Sequence, residues 1–164
     1  MNTGQSIFSI GALLLFSLTT LQVNDNILTN DIVLQESKFG ILGLSLAASM
    51  IEEANNKAFD AATATDGITD INLLTSPYGL GPGTAEIPGD FDDFDDYNGY
   101  TKHIDQIPSA NFDISCKVEY VTPENIDGSI MQKTWHKKIT VKVTSPFMQD
   151  TIQVSKIFSY WNFR

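Results

Sequence analysis

Residues 7–23 read IFSIGALLLFSLTTLQV, inside a longer stretch, residues 1–24, that carries no charged side chain. As a helix, residues 5–23 span about 28 Å at roughly 1.5 Å per residue, close to the roughly 30 Å hydrocarbon core of a bilayer. The run is not uniformly apolar. Ser6, Ser9, Ser17, Thr19, Thr20 and Gln22 interrupt it, which suits a helix that packs on other helices as well as on lipid. A cleaved secretory signal is the competing reading. It calls for a basic segment ahead of the apolar run and a small-x-small site after it, and neither is found here.

The helical pattern continues past Val23. No proline occurs among residues 1–76, so nothing in that stretch forces a break. Ile27, Leu28, Ile32, Leu34 and Phe39 recur at roughly helical spacing, and residues 40–51 form a second apolar stretch. Met50, Ile51, Ala54, Ala58, Phe59 and Ala62 then make an i, i+3, i+4 stripe. Asp66-Gly67 is a stop signal. One helix from Gln5 to about Ala62 is expected, about 87 Å long, with Gly40 and Gly43 its weak points. Two helices, one membrane-spanning and one within a domain, are the alternative. A domain of this size cannot bury such a rod alone, so the first half requires a membrane or further copies of the chain.

The 164 residues carry a net charge of −10, which argues against a general nucleic-acid binder. The charge is unevenly placed: residues 25–100 hold fourteen acids and two lysines, residues 101–164 six acids and eight bases. Cys116 is the single cysteine, so no intrachain disulfide and no multi-cysteine metal pattern is available.

Residues 63–110 show no periodicity and hold four of the six prolines and six of the eleven glycines, which is loop chemistry. The GLGPG run at 79–83 lacks the preceding strand and following helix of a phosphate loop. The tail reads as β. Phe112, Ile114, Cys116, Val118 and Tyr120 alternate strictly with Asp113, Ser115, Lys117 and Glu119. Trp135, Ile139, Val141 and Val143 form a second set, with Lys137 as an exception expected near a sheet edge or bulge. Ile152, Val154, Phe158 and Tyr160 form a third, with Lys156 as its exception. Turns are expected at residues 123–128 and 145–150. The expected fold is α+β: a long N-terminal helix packed on a small C-terminal antiparallel sheet. Residues 1–62 would be the rod and residues 63–164 the head, with an acidic loop over 63–110 and the sheet over 111–164.

This plan resembles type IV pilins and pseudopilins. Residues 46–60, LAASMIEEANNKAFD, look like the "A-x-S-hydrophobic-hydrophobic-E-E … K-x-F-D" stretch of minor pilins, and residues 92–100, DDFDDYNGY, resemble their "D-D-V-D-D-Y-N-G-Y" segment. Both are similar to the D-type minor pilins of mannose-sensitive haemagglutinin pilus systems. The likeness covers most of the chain loosely and about 25 residues closely. It implies a prepilin-peptidase site at Gly4 and Gln5. The head departs from the family pattern: no basic leader is present, and Ser9 stands where a glutamate is usual. In the family that glutamate is thought to pair with a neighbouring subunit's N-terminal amine. Ser9 removes a costly buried charge and leaves the amine unpaired, so cleavage or retention of residues 1–4 stays open.

The Asp-rich segment raises a metal question. Asp92, Asp93, Asp95 and Asp96 are candidate calcium ligands, but calcium takes about six to eight oxygens and adjacent aspartates cannot all point inward. The competing reading is a solvated acidic loop anchored by Phe91, Phe94, Tyr97 and Tyr100, with no cofactor. His103 and His136 lack ligand spacing and read as surface histidines. Glu52 and Glu53 are adjacent on a helix and so point about 100° apart; they read as a solvated face. No nucleophile elbow occurs, and no enzyme activity is expected. Trp161 and Phe163 are expected to complete the core or a subunit contact. The resulting expectation is a subunit of an extracellular pilus-like filament, placed in the inner membrane before assembly and handled by pilus assembly machinery. Ile7, Phe8, Ile10, Leu13, Leu14, Phe16, Leu18 and Leu21 would pack in the filament core. Its partners would be copies of itself, and nucleic acid would not be one. A membrane-anchored monomeric binding module, a minor or tip pseudopilin of a secretion apparatus, and an exported hydrolase are the rivals.

Overall fold

The computed structural model describes residues 2–161, apart from residues 85, 106, 108 and 109. The chain divides into two compact units, Met1–Lys38 and Phe39–Arg164. A single helix, α1 (Thr3–Asn55), runs through the boundary, and four strands follow: β1 (Thr101–Ile104), β2 (Phe112–Tyr120), β3 (His136–Thr144) and β4 (Ile152–Ser159).

In the first unit α1 contributes residues 3–38, about 54 Å of helix at roughly 1.5 Å per residue. Its apolar segment is long enough and apolar enough to cross a membrane by length and composition, and none of that segment is buried.

In the second unit α1 presents one face to the sheet. Phe39, Gly43, Ala47, Met50, Ile51 and Ala54 are buried, a spacing that returns to the same side of a 3.6-residue helix. They pack with Phe112, Ile114, Cys116 and Val118 of β2 and Ile139, Val141 and Val143 of β3. Full burial of each large apolar side chain contributes about 1.5–3 kcal/mol. Gly43 sits at a close approach: a Cβ there would lie 3.3 Å from Ile152 Cγ1 and 3.6 Å from Met148 Cε.

The helix stops at Asn55, earlier than the apolar stripe suggests. Asn55 and Asn56 favour competing backbone hydrogen bonds over helix. Beyond them Ala58 leaves the helical ladder. Its N–H donates to Asp92 O at 3.1 Å, and its carbonyl accepts from Phe94 N at 2.9 Å, a parallel bridge to Asp93. Phe59 therefore enters a second cluster with Ile68, Leu74 and Tyr120, and Asp60 caps a 3-10 turn at Ala61–Thr63.

The sheet is an antiparallel meander in the order β1-β2-β3-β4. It has one strand more than the tail pattern shows. β1 lies within the stretch that reads as loop, because Thr101, Lys102 and His103 are exposed and carry no apolar alternation. Pairing from Thr101↔Ser115 to Ile104↔Phe112 defines it instead. The alternation of β2 appears directly, with Phe112, Ile114, Cys116, Val118 and Tyr120 buried. Lys137 lies neither at an edge nor at a bulge. It pairs in unbroken register with Tyr120 on one side and Phe158 on the other, and its side chain is fully buried.

Candidate functional site

Two regions carry chemistry, one in each unit. In the first, the predicted packing residues Ile7, Phe8, Ile10, Leu13, Leu14, Phe16, Leu18 and Leu21 are all exposed. Gly4 and Gly11 open a shallow groove along the helix, flanked by Ile7, Phe8, Ala12 and Leu15. Four hydroxyls turn back on their own backbone. Ser9 donates to Gln5 O at 2.9 Å, Thr19 and Thr20 to Phe16 O at 2.9 and 2.8 Å, and Thr29 to Asp25 O at 2.9 Å.

The second region is a buried charge cluster. Lys137 Nζ donates to Asp60 Oδ2 at 2.7 Å, Asp95 Oδ1 at 2.5 Å and Phe59 O at 2.9 Å, so the ammonium's three donors are all used. The side chains of Lys137 and Asp60 are 0% exposed and that of Asp95 3%. Asp60 is further fixed by Ala62 N at 3.1 Å and Thr75 N at 2.9 Å, and by the Thr75 hydroxyl at 3.1 Å. Burial opposes its ionisation, but the Lys137 charge and these donors outweigh burial and hold its carboxyl below the ordinary value. Tyr120 closes the pocket, its hydroxyl donating to Thr75 O at 2.8 Å.

The Asp-rich segment is not a solvated loop. Asp93, Asp95 and Asp96 are buried, and only Asp90 and Asp92 of the run are exposed. The segment folds on itself: Asp93 Oδ1 accepts from the amides of Asp95 and Asp96 at 2.8 and 3.2 Å, and Asp96 Oδ2 from those of Asp92 and Asp93 at 3.0 and 3.1 Å. Burial, with the neighbouring Asp95 and Asp96 carboxyls, pushes Asp93 up to about 8. Burial likewise raises Asp96, against the two amides it accepts from. The aromatic anchors are where the pattern puts them, with Phe91 edge-on to Tyr97 and Tyr100.

Of the four candidate cation ligands, only Asp92 and Asp96 come together, joined by Glu86; their carboxylate oxygens lie within 4.8 Å of one another. Asp95 faces Lys137, and Asp93 faces backbone amides. Glu52 and Glu53 hold separate partners, Lys156 Nζ at 3.0 Å and the Tyr97 hydroxyl at 2.9 Å. His103 is exposed beside Asp113, at 2.6 Å, and His136 meets Ser159 Oγ at 2.7 Å. Trp161 is 68% exposed and so does not complete the core; Phe163 lies outside the described residues. Burial, and Glu53 nearby, push the Cys116 thiol up to about 12. Sequence reasoning missed the role of Lys137. The available signal was a lysine at an apolar parity position in a strand that otherwise alternates.

Comparison of the chain with protein-family models, curated proteins and solved structures finds no match.

Proposed function

We propose that the chain is a non-enzymatic structural subunit of an extracellular pilus-like filament, held in the inner membrane before assembly and built into the fibre by side-by-side packing of its N-terminal helices. One observation carries this reading. The uncharged stretch of α1 exposes a continuous apolar surface, while the unit that begins at Phe39 has a complete core of its own. A solvent-exposed apolar surface of that extent needs an apolar partner. A membrane supplies one, and repeated copies of the same helix supply another, with van der Waals fit and small residues at the contact. Cleavage by a prepilin peptidase between Gly4 and Gln5, and handling by pilus assembly machinery, belong to the same proposal.

Electron microscopy of sheared cell surfaces, with the protein located by immunogold, tests it. Labelled fibres that vanish when Leu14 and Leu18 are both changed to lysine are expected. Detergent-soluble monomers alone, never fibres or assembly complexes, would refute it and favour a membrane-anchored binding module. Mass spectrometry of the mature N-terminus reads the processing step: Gln5 at the terminus supports cleavage, and an intact Met1 excludes it.

A further inference from the structure

The buried cluster is arranged for more than charge pairing. We infer that Lys137 and Asp95 are joined by an intramolecular amide bond, formed without an added catalyst once the unit has folded, with Asp60 carrying the proton.

Three observations converge on this. The first is proximity: Lys137 Nζ lies 2.5 Å from Asp95 Oδ1, so the amine and the carboxyl group it would attack are held in direct contact. Intramolecular pairs held in reactive alignment reach effective molarities of about 10⁵–10⁸ M. The second is the surroundings. Lys137 and Asp60 are fully buried and Asp95 nearly so. The amine lies 4.6 Å from the centroid of the Phe59 ring and 5.4 Å from that of Tyr120. The aromatic enclosure strips hydration from the paired groups. An enclosure that excludes water also favours condensation, which releases it.

The third observation is the division of labour between two carboxylates that share one lysine. Asp60 is fixed as a carboxylate by the amides of Ala62 and Thr75 and the Thr75 hydroxyl, so it is the poorer electrophile and, at 2.7 Å from the amine, the group placed to carry its proton. Asp95 sits on the 3-10 turn Asp95–Tyr97, where its carboxyl accepts from the Lys137 ammonium.

The step balances without a co-reactant. The ammonium gives one proton to Asp95, leaving a neutral amine and a neutral acid. The amine nitrogen bonds to Asp95 Cγ, and Asp60 takes the second amine proton. Asp60 returns that proton to the departing hydroxyl, the Cγ–O bond breaks, and water leaves. Asp60 ends as it began, a carboxylate. The single N–H left on the amide keeps the acceptor the amine already has, Phe59 O at 2.9 Å.

Intact mass of the full chain, purified in detergent and then denatured, tests the inference. The expected mass is one water below the sequence mass, and proteolysis should yield one branched peptide containing both Asp95 and Lys137. Asp95→Ala should restore the full mass. Asp60→Asn, which leaves both reacting groups in place, should leave most of the chain unlinked. A wild-type chain at full mass overturns the inference, and so does water loss traced to a linear peptide, such as a succinimide at Asp66-Gly67 or Asp127-Gly128. The wild-type measurement stands even if a variant fails to fold.

Discussion

Asp93→Asn isolates the electrostatics of the buried turn. The substitution is close to isosteric with the protonated acid. Its Oδ1 keeps the amides of Asp95 and Asp96, now at 2.8 and 3.2 Å. It differs in that it cannot ionise. Wild-type Asp93 has its pKa raised from an ordinary 3.8 to about 8, chiefly by burial. The unfolded chain therefore releases this proton near pH 4 while the folded chain keeps it. A raised folded value means that the contribution to stability is full below the unfolded pKa and is lost as pH rises towards the folded one. The slope is about −1.4 kcal/mol per pH unit, or about 2.7 kcal/mol between about pH 5 and about pH 7. That corresponds to a fall of roughly 5–10 °C in Tm. The raised Asp96 adds to the fall. Asp60, lowered in the fold, acts only at the acid end, where its contribution is lost as pH falls below the ordinary value. In Asp93→Asn most of the slope should disappear, so that the two profiles meet below about pH 4, where wild-type Asp93 is protonated in both states, and the variant is the more stable near pH 7. Thermal unfolding of the full chain in detergent, followed by near-ultraviolet circular dichroism, measures both profiles. Parallel profiles, or a variant less stable than wild type near pH 7, would refute the reasoning.

Other outcomes follow from the packing. Gly40 has open space where a Cβ would go, so Gly40→Ala should raise stability by about 0.5–1 kcal/mol through helix propensity, read as a shift in denaturation midpoint. Gly43→Leu should instead lower it by about 1–3 kcal/mol, because the added atoms meet Ile152 and Met148. Val141→Ala, at a fully buried position of β3, should cost about 1–3 kcal/mol by the cavity it leaves. Cys116 should resist a thiol reagent near pH 8 in the folded chain and react at once in denaturant, since burial holds it protonated.

The parts of the fold legible in the sequence are those whose signal is local. The alternation from Phe112 to Tyr120 announces a half-buried strand, and the proline-free apolar run announces a long helix. β1 has no such signal. Its identity comes from pairing with residues 112–115, and three of its four side chains are exposed. The helix end was hidden for a related reason. Ala58, Phe59 and Ala62 keep helical spacing, but Ala58 is claimed by Asp93 across 35 positions of chain. Counting acids over residues 90–96 suggests a solvated loop because nothing local shows that Lys137 lies inside, 42 residues beyond Asp95. The surface is correspondingly less acidic than composition suggests.

The hydroxyls along α1 have a consequence for how the helix fits its surroundings. Ser9, Thr19, Thr20 and Thr29 each spend their donor on a carbonyl of the preceding turn. They therefore ask nothing of a neighbour. Moving the helix from one apolar medium to another, or sliding and rotating it against an adjacent helix, breaks none of these bonds. These four hydroxyls therefore favour no alignment over the next. What remains to them is steric fit: the Gly4–Gly11 groove and the bulk of Phe8 and Leu15 beside it give this part of the helix a shape for a neighbour to match.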